Sequence, residues 1–506
     1  MTALYRRFAD QAGRAPDAPA LQAGDRLLTM RGFVDLIDAT ARQFEADGLG
    51  EGDFIGWLGH NTLEMLAALM ACAKLGAVWV PLNWRLAAPE LAAIARHAGL
   101  SALINTPELT DLAAQVRAQT TLAGPAGRRP MDPPGARHEA QPGDAMLVYT
   151  SGTTGEPKGA MHTQAGMLAN LDIATTVQGL TAADRVLAVL PLFHVGGLCI
   201  QVLPALAGGA VVNLHARFDP GAWLHDAATW RPTTSLLVPA VMQALIAHPG
   251  WPAADLRSLR YLDSGSSIVP VALIEAFHAR GVPMAQVYGS TETGPFSIAL
   301  RPDEALAHVG QVGRPAPGVQ LRLVDAEGHA VRPGEVGEIW LQAPNLMRGY
   351  YRLPPGAGFV DGWFATGDLA SADANGWVTV VGRSEELIIS GGENIHPAEL
   401  ENLAASWPGV AEVAVVGLAD PRWGEVPVLV LVARPGAVVD LVGLRGLFDA
   451  RLARFKHPRL MVMVLADELP RTALGKVKKS ALRADVRLLS AREGAAAHHG
   501  LQLVGW

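Results

Sequence analysis

The chain has 506 residues, half of them apolar and 18% charged, with a formal net charge of −7. That length exceeds one ordinary core and predicts two or three domains, while the apolar content excludes extended disorder. The mild acidity argues against a nucleic-acid partner, and two cysteines without metal spacing, Cys72 and Cys199, suit a reduced, cytoplasmic protein.

The first residues, Met1 to Arg7, carry cations without an apolar run behind them, so no signal peptide is expected. The longest apolar stretch, Met65 to Leu82, is interrupted by Lys74 and Gly76 and reads as a buried helix entering a strand, not a transmembrane segment. Helix-like Leu63–Lys74 and Ala88–His97 alternate with strand-like Ala77–Leu82 and Ser101–Ile104. The alternation predicts βαβ units on a largely parallel sheet, and it recurs at Arg185–Leu190, Ala210–Leu214, Ser235–Val238, Leu259–Asp263 and Met284–Tyr288. After about residue 310, short strands at Gln320–Val324, Gly337–Leu341 and Trp377–Val381 are separated by turn residues, including Asn375-Gly376, and predict a small antiparallel barrel or sheet. From about Glu386 a smaller α+β unit follows, with strands near Val413–Val416 and Val428–Val432 and a helix near Leu441–Phe455. No partner is evident for the tail after Arg487.

Chemistry concentrates in a few segments. After the apolar run Ala145–Val148, residues Tyr149 to Gly159 hold four Ser/Thr hydroxyls (Thr150, Ser151, Thr153, Thr154), three glycines (Gly152, Gly155, Gly159) and Lys158. A strand feeding such a loop offers backbone N–H groups, hydroxyls and a cation to a phosphate. Pro157 before Lys158 and Gly159 after it exclude the Gly-Lys-Ser/Thr ending of the nucleoside-triphosphatase loop. Tyr288-Gly289-Ser290-Thr291-Glu292-Thr293 ends an apolar strand, where ligands of parallel sheets gather. Tyr288 offers a face to a purine, Thr291 a hydroxyl to phosphate and Glu292 a carboxylate to Mg²⁺; read alone, the segment serves equally as a helix cap. Thr366-Gly367-Asp368 and Arg383 offer a carboxylate and a planar donor fork to a sugar. Lys476, in Pro470-Arg471-Thr472-Ala473-Leu474-Gly475-Lys476, belongs either to a solvated basic face with Lys478 and Lys479 or to a catalytic loop.

Together these segments resemble, in order and over the chain to about residue 487, the adenylate-forming superfamily. Ser390-Gly391-Gly392-Glu393-Asn394 and Pro191-Leu192-Phe193-His194-Val195-Gly196-Gly197 resemble its acyl-CoA synthetase branch. The resemblance implies a large N-terminal domain (1–384) of mainly parallel sheets with a small antiparallel barrel, a mobile α+β C-terminal domain (385–487) and a tail (488–506). It implies an ATP- and Mg²⁺-dependent carboxylic acid–CoA ligase that forms an acyl-adenylate and releases pyrophosphate and AMP. Thr150 to Gly155 and Lys158 would hold the phosphates, Gly265, Ser266, Tyr288 and Gly289 the adenine side, Asp368 and Arg383 the ribose. Thr291 and Glu292 would serve the α-phosphate and metal, and Lys476 would bridge the substrate carboxylate and the α-phosphate. Gly391 and Gly392 would line the CoA tunnel, and Glu385 would be the hinge. His194, Gly196 and Ser267 would border the acyl pocket; His194 stands where peptide-synthetase domains carry an amine-binding Asp, and is alternatively a core histidine.

Two positions depart from the pattern: Glu385, where Asp or Lys is commoner, and Gly265-Ser266-Ser267, where Gly-Gly-Ala or Gly-Ala-Ala is usual. The expected substrate is a medium- or long-chain fatty acid or an aryl acid, with transfer to a carrier protein and a catalytically silent homologue as alternatives. Partners are small molecules, with a homodimer allowed.

Overall fold

A computed structural model describes residues 2–120, 122, 140–150, 158–390, 393–420, 422–472 and 475–485, and the backbone of 503–505. Two sheets dominate the larger, N-terminal part. In the nine-stranded sheet, Met284–Tyr288, Leu262–Gly265, Thr234–Leu237, Arg185–Ala188, Val211–Leu214 and Pro19–Ala23 run parallel in that spatial order, with antiparallel strands at each edge. The six-stranded sheet centres on Phe54–Leu58 and Val78–Leu82 and ends in the antiparallel pair Asp144–Thr150 and Lys158–Thr163, with Gly349–Tyr350 at its edge.

One apolar cluster draws on both sheets, with Trp57, Trp79 and Val148 from one and Leu21, Val186 and Val212 from the other. Between them lies helix Leu63–Leu75, in which every residue from Met65 to Ala73 is buried. A helix apolar all round must be enclosed by protein, which is why this stretch sits between the layers. It starts on a Thr62 cap and stops at Gly76, whose φ of +77° closes the last turn.

The strands expected at Met284–Tyr288 and Gln320–Val324 have those bounds, and most others agree within a few residues. The reading of Leu259–Asp263 is displaced, the strand being Leu262–Gly265. A ten-residue strand, Trp363–Ala372, was not read from the sequence because Gly367 and polar residues break its alternation. It pairs with Val336–Gln342 on one side and Val378–Arg383 on the other, and Asn375-Gly376 turns the second pair. The tail does have a partner: Leu503–Gly505 pairs antiparallel with Leu460–Met463.

Beyond residue 386 the smaller α+β unit has its own cores, two apolar clusters made solely of residues between 388 and 482. Independent cores mark a separate domain. No described helix is long and apolar enough to cross a membrane.

The strand leading to residue 150 is tied down from far away in sequence. Arg348 Nε and Nη2 lie 2.9 and 3.0 Å from the two carboxylate oxygens of Asp144, whose side chain is 1% exposed. Removing one partner of such a pair strands a buried charge, which typically costs about 3–5 kcal/mol. Arg348→Ala is therefore expected to lower the unfolding free energy measured by urea titration by that order, and Asp144→Asn/Arg348→Met to recover part of the loss.

Candidate active site

Three of the segments singled out by the sequence leave the same edge of the nine-stranded sheet. Pro191–Gly197 follows strand Arg185–Ala188, Gly265 ends Leu262–Gly265, Gly289 follows Met284–Tyr288, and helix Pro239–Ala247 follows Thr234–Leu237. These strands are parallel, so their carboxyl ends converge, which is where open α/β sheets bind ligands.

At one corner, Tyr288, Asp368 and Arg383 form a chain. The Tyr288 hydroxyl donates to Asp368 Oδ2 at 2.7 Å, and Arg383 Nε donates to Oδ1 at 2.7 Å. Asp368 and Arg383 face each other across adjacent strands. Burial works against the Arg383 charge, but Asp368 outweighs it and holds the guanidinium more firmly protonated than usual. Burial, then Asp368, keeps the Tyr288 phenol neutral. A hydroxylated ring and a paired carboxylate and guanidinium side by side suit a nucleoside. Gly289 has no alternative: an added Cβ would overlap the Pro295 carbonyl. Gly265 likewise approaches the Val287 carbonyl too closely for a side chain.

A second corner collects Lys158, Glu292 and a residue the sequence reading missed, Tyr350. Its hydroxyl donates to Glu292 Oε1 at 3.0 Å, and Lys158 Nζ lies 5.5 Å from its ring centroid. Burial and Glu292 raise the Tyr350 phenol well above its ordinary range. Only the aromatic pair Tyr350-Tyr351 after Gly349 signals this position in sequence, and nothing in it specifies chemistry. Thr150 pairs with Lys158 across the two strands that flank the signature loop. Ser151, Gly152, Thr153, Thr154 and Gly155 lie outside the described residues, as do Gly391 and Gly392.

Among the described residues no group of three His, Cys, Asp or Glu could hold a metal. Glu292, with the buried, unpartnered Ser290 Oγ nearby in the chain, fits an ion that takes one carboxylate and fills its remaining positions with water and phosphate oxygens, as Mg²⁺ does.

On the third side, His194 is half-buried, its ring 4.5 Å from that of Phe193, and its buried Nε2 has no hydrogen-bond partner among the described residues. A Cβ added at Gly196 would lie 3.4 Å from Ser266 Oγ, so Gly196 and the 265–267 loop face one another. Gly197 differs from Gly196: a side chain there would press the Pro191 carbonyl at 2.9 Å, so it permits backbone packing instead of opening a pocket. Ser266 has φ +68°, a left-handed conformation that glycine adopts more readily. Such conformations cluster where ligands are held. Ser267 is half-buried beside it.

Lys476 is exposed, on a loop held by its neighbours: Thr472 Oγ1 accepts from the Lys476 N–H at 3.2 Å, and Arg471 donates to the Gly475 carbonyl at 3.0 Å. A Cβ on Gly475 would lie 3.9 Å from the Ala240 Cβ, so the loop rests on the start of helix Pro239–Ala247. Gln243 of that helix also donates to the Ala411 carbonyl at 3.4 Å. Glu385 is exposed in the turn Ser384–Glu386, 3.5 Å from Arg383 Nη1. An open groove of about 870 Å³ lies elsewhere, lined by Asn213, His215, Arg217, Asp226 and Trp230, and takes in none of the predicted site residues.

Residues 8–351 match the family model of the AMP-binding enzymes, and residues 399–476 match the model of their C-terminal domain. This chain belongs to the AMP-binding enzymes, in their acid–CoA ligase branch. The indoleacetate–CoA ligase of Aromatoleum aromaticum is 43% identical over 95% of this chain and 97% of that protein. A feruloyl-CoA synthase of Amycolatopsis is 39% identical over 94% of this chain and 97% of its own length. Among solved structures, an anthranilate CoA ligase in complex with anthranoyl-AMP superposes with a TM-score of 0.88 at 26% identity, covering 96% of this chain and 98% of that one.

Burial, reinforced by the nearby Arg85 charge, lowers the pKa of His194 to about 3. In the folded ligase the imidazole is neutral above that value, whereas in the unfolded chain it takes up a proton below about 6.5. Stability is therefore lost as pH falls from about 6.5 toward 3, at up to roughly 1.4 kcal/mol per pH unit from this group. Urea midpoints measured at pH 7, 6 and 5 should fall less steeply for His194→Leu than for the parent chain.

Proposed function

We propose that the chain is a cytoplasmic, ATP- and Mg²⁺-dependent ligase that joins a bulky carboxylic acid, preferentially an arylalkanoic or arylacrylic acid, to CoA. The carboxylate attacks the α-phosphorus of ATP, pyrophosphate leaves, and the thiol of CoA then displaces AMP from the acyl-adenylate. Dividing the reaction at a reactive mixed anhydride turns one difficult displacement into two easier ones. The observation that carries this reading is the Tyr288–Asp368–Arg383 chain at the carboxyl edge of the sheet, with the Lys476 loop lying against Ala240 at that same edge.

In this reading Asp368 and Arg383 receive the ribose, Tyr288 the adenine, and Lys158 with the 150–155 loop the β- and γ-phosphates. Thr291 and Glu292 serve the α-phosphate and Mg²⁺. Lys476 neutralises the charge shared by two anions brought together, a fixed charge whose removal typically costs about 10²–10³ in rate. We take 1–384 as the nucleotide- and acid-binding domain and 385–487 as a domain that turns about Glu385, withdrawing Lys476 and bringing the 391–392 glycines to the CoA path. Lys476→Ala is expected to lower pyrophosphate exchange by about 10²–10³ while leaving thioester formation from supplied acyl-adenylate. Glu385→Pro, which fixes one backbone angle, is expected to do the reverse. Equal losses in both half-reactions would reject the assignment.

The aryl preference is supported by the relatives acting on indoleacetate and ferulate and by the side-chain-free Gly196 facing Ser266. Each additional buried CH₂-sized group adds about 0.8 kcal/mol of binding, roughly fourfold in affinity. Values of kcat/KM for acetate, hexanoate, dodecanoate, benzoate, a cinnamate and indole-3-acetate should favour the last two over acetate by at least about tenfold. Gly196→Trp should move the preference toward smaller acids. A 34% identical relative is a fatty acid–[acyl-carrier-protein] ligase, and AMP release measured with and without CoA separates that acceptor from CoA.

A further inference from the structure

Lys479 opens the short helix Lys479–Arg483, three positions after Lys476. Its ammonium lies 3.0 Å from Glu386 Oε2 and 2.9 Å from Glu401 Oε1, with the side chain 14% exposed. The two carboxylates are not equivalent. Glu401 Oε1 is also satisfied by the Val415 N–H at 2.8 Å, whereas among the described residues Lys479 is the one ion-pair partner of Glu386.

Glu386 is also awkwardly placed. It follows Glu385 in the turn that joins the two domains, and its charge is felt by several cations. Burial raises its pKa, but Lys479, then Lys476 and Arg383, outweigh that and keep the carboxyl below its usual range. Lys476 is thus within electrostatic reach of a half-buried carboxylate that is not part of any substrate. A half-buried carboxylate is screened less than an exposed one and so attracts a neighbouring lysine more strongly.

We propose that Lys479 is a positioning residue: it occupies Glu386 and so prevents that carboxylate from capturing Lys476 while the acyl-adenylate forms. The arrangement explains why a second lysine is held in a nearly buried position three residues beyond the first. Lys479 fills the carboxylate beside the hinge, and Lys476 stays free to reach the substrate. The proposal rests on the assignment of Lys476 to the first half-reaction.

Pyrophosphate exchange and thioester formation from supplied acyl-adenylate would be measured for the parent chain, Lys479→Met, Glu386→Gln, the double variant and Lys476→Ala, with urea midpoints for each. Lys479→Met is expected to lower kcat of exchange by about tenfold or more, leave KM for ATP within about threefold, and leave the thioester step nearly unchanged. Glu386→Gln alone should stay near the parent. The double variant should recover exchange to within about threefold of the parent, since the competing carboxylate is gone. A double variant as slow as Lys479→Met would overturn the proposal, because Lys479 would then act through packing or through Glu401. So would a Lys479→Met variant with full exchange. If Lys479→Met does not fold, Lys479→Gln with and without Glu386→Gln makes the same comparison. Lys476→Ala with undiminished exchange would instead reject the catalytic-lysine assignment, so the two failures are distinguishable.

Discussion

The Asp368 carboxylate is the constraint on which the site depends. One oxygen accepts from Tyr288, at the end of a strand of the nine-stranded sheet, and the other from Arg383, on the last strand before the hinge turn. A charged acceptor bonded at both oxygens is directional, and stronger than neutral hydrogen bonds. It therefore fixes the antiparallel hairpin of 363–383 against the carboxyl edge of the parallel sheet. Because Glu385 lies two residues past Arg383, the same clamp ends just before the proposed hinge.

On the other side of that turn, Lys479 gathers Glu386 and Glu401, attaching the first residues of the C-terminal domain to its own helices. Arg471 holds the Lys476 loop in the same way, donating to Glu412 at 2.7 Å and to the Gly475 carbonyl. Between these two ion-paired frames lie only Ser384 and Glu385, both exposed. Rotation concentrated in a few residues between rigid bodies is how hinges work. Near the site the C-terminal unit meets helix Pro239–Ala247 at Ala240 and Gln243, and the proposed rotation would make and break these contacts in each turnover.

The acid side is built on different physics. His194 is neutral because desolvation, reinforced by the nearby Arg85 charge, disfavours its protonation, and among the described residues Nε2 is left without a partner. An unsatisfied buried polar atom is costly unless a ligand or water meets it, so its persistence is in keeping with a place beside a substrate. The left-handed Ser266 opposite Gly196 is a second local cost at the same place. Costs of this kind gather at functional sites, where the surrounding structure over-determines them.

Much of this was determined by sequence alone. The segments that carry the family resemblance were legible: the Ser/Thr/Gly loop with Lys158, the strand ending at Tyr288 with Thr291 and Glu292 after it, the pair Asp368 and Arg383, and the loop of Lys476. Each needs a particular residue type at a fixed short spacing, so the pattern survives in one dimension. Parallel strands such as Met284–Tyr288 were legible because full burial makes them continuously apolar. Tertiary structure alone decided the rest. Tyr350 meets Glu292 across 58 positions, Arg348 meets Asp144 across 204, and Lys479 reaches Glu386 and Glu401 from the far end of its domain. The strand Trp363–Ala372 was hidden because its inner residues serve the site and break the alternation a strand otherwise shows. Gly196 and Gly197 look alike in sequence, yet one faces Ser266 and the other a carbonyl. Which of two adjacent glycines opens a space depends on what packs opposite, and only the folded chain supplies that neighbour.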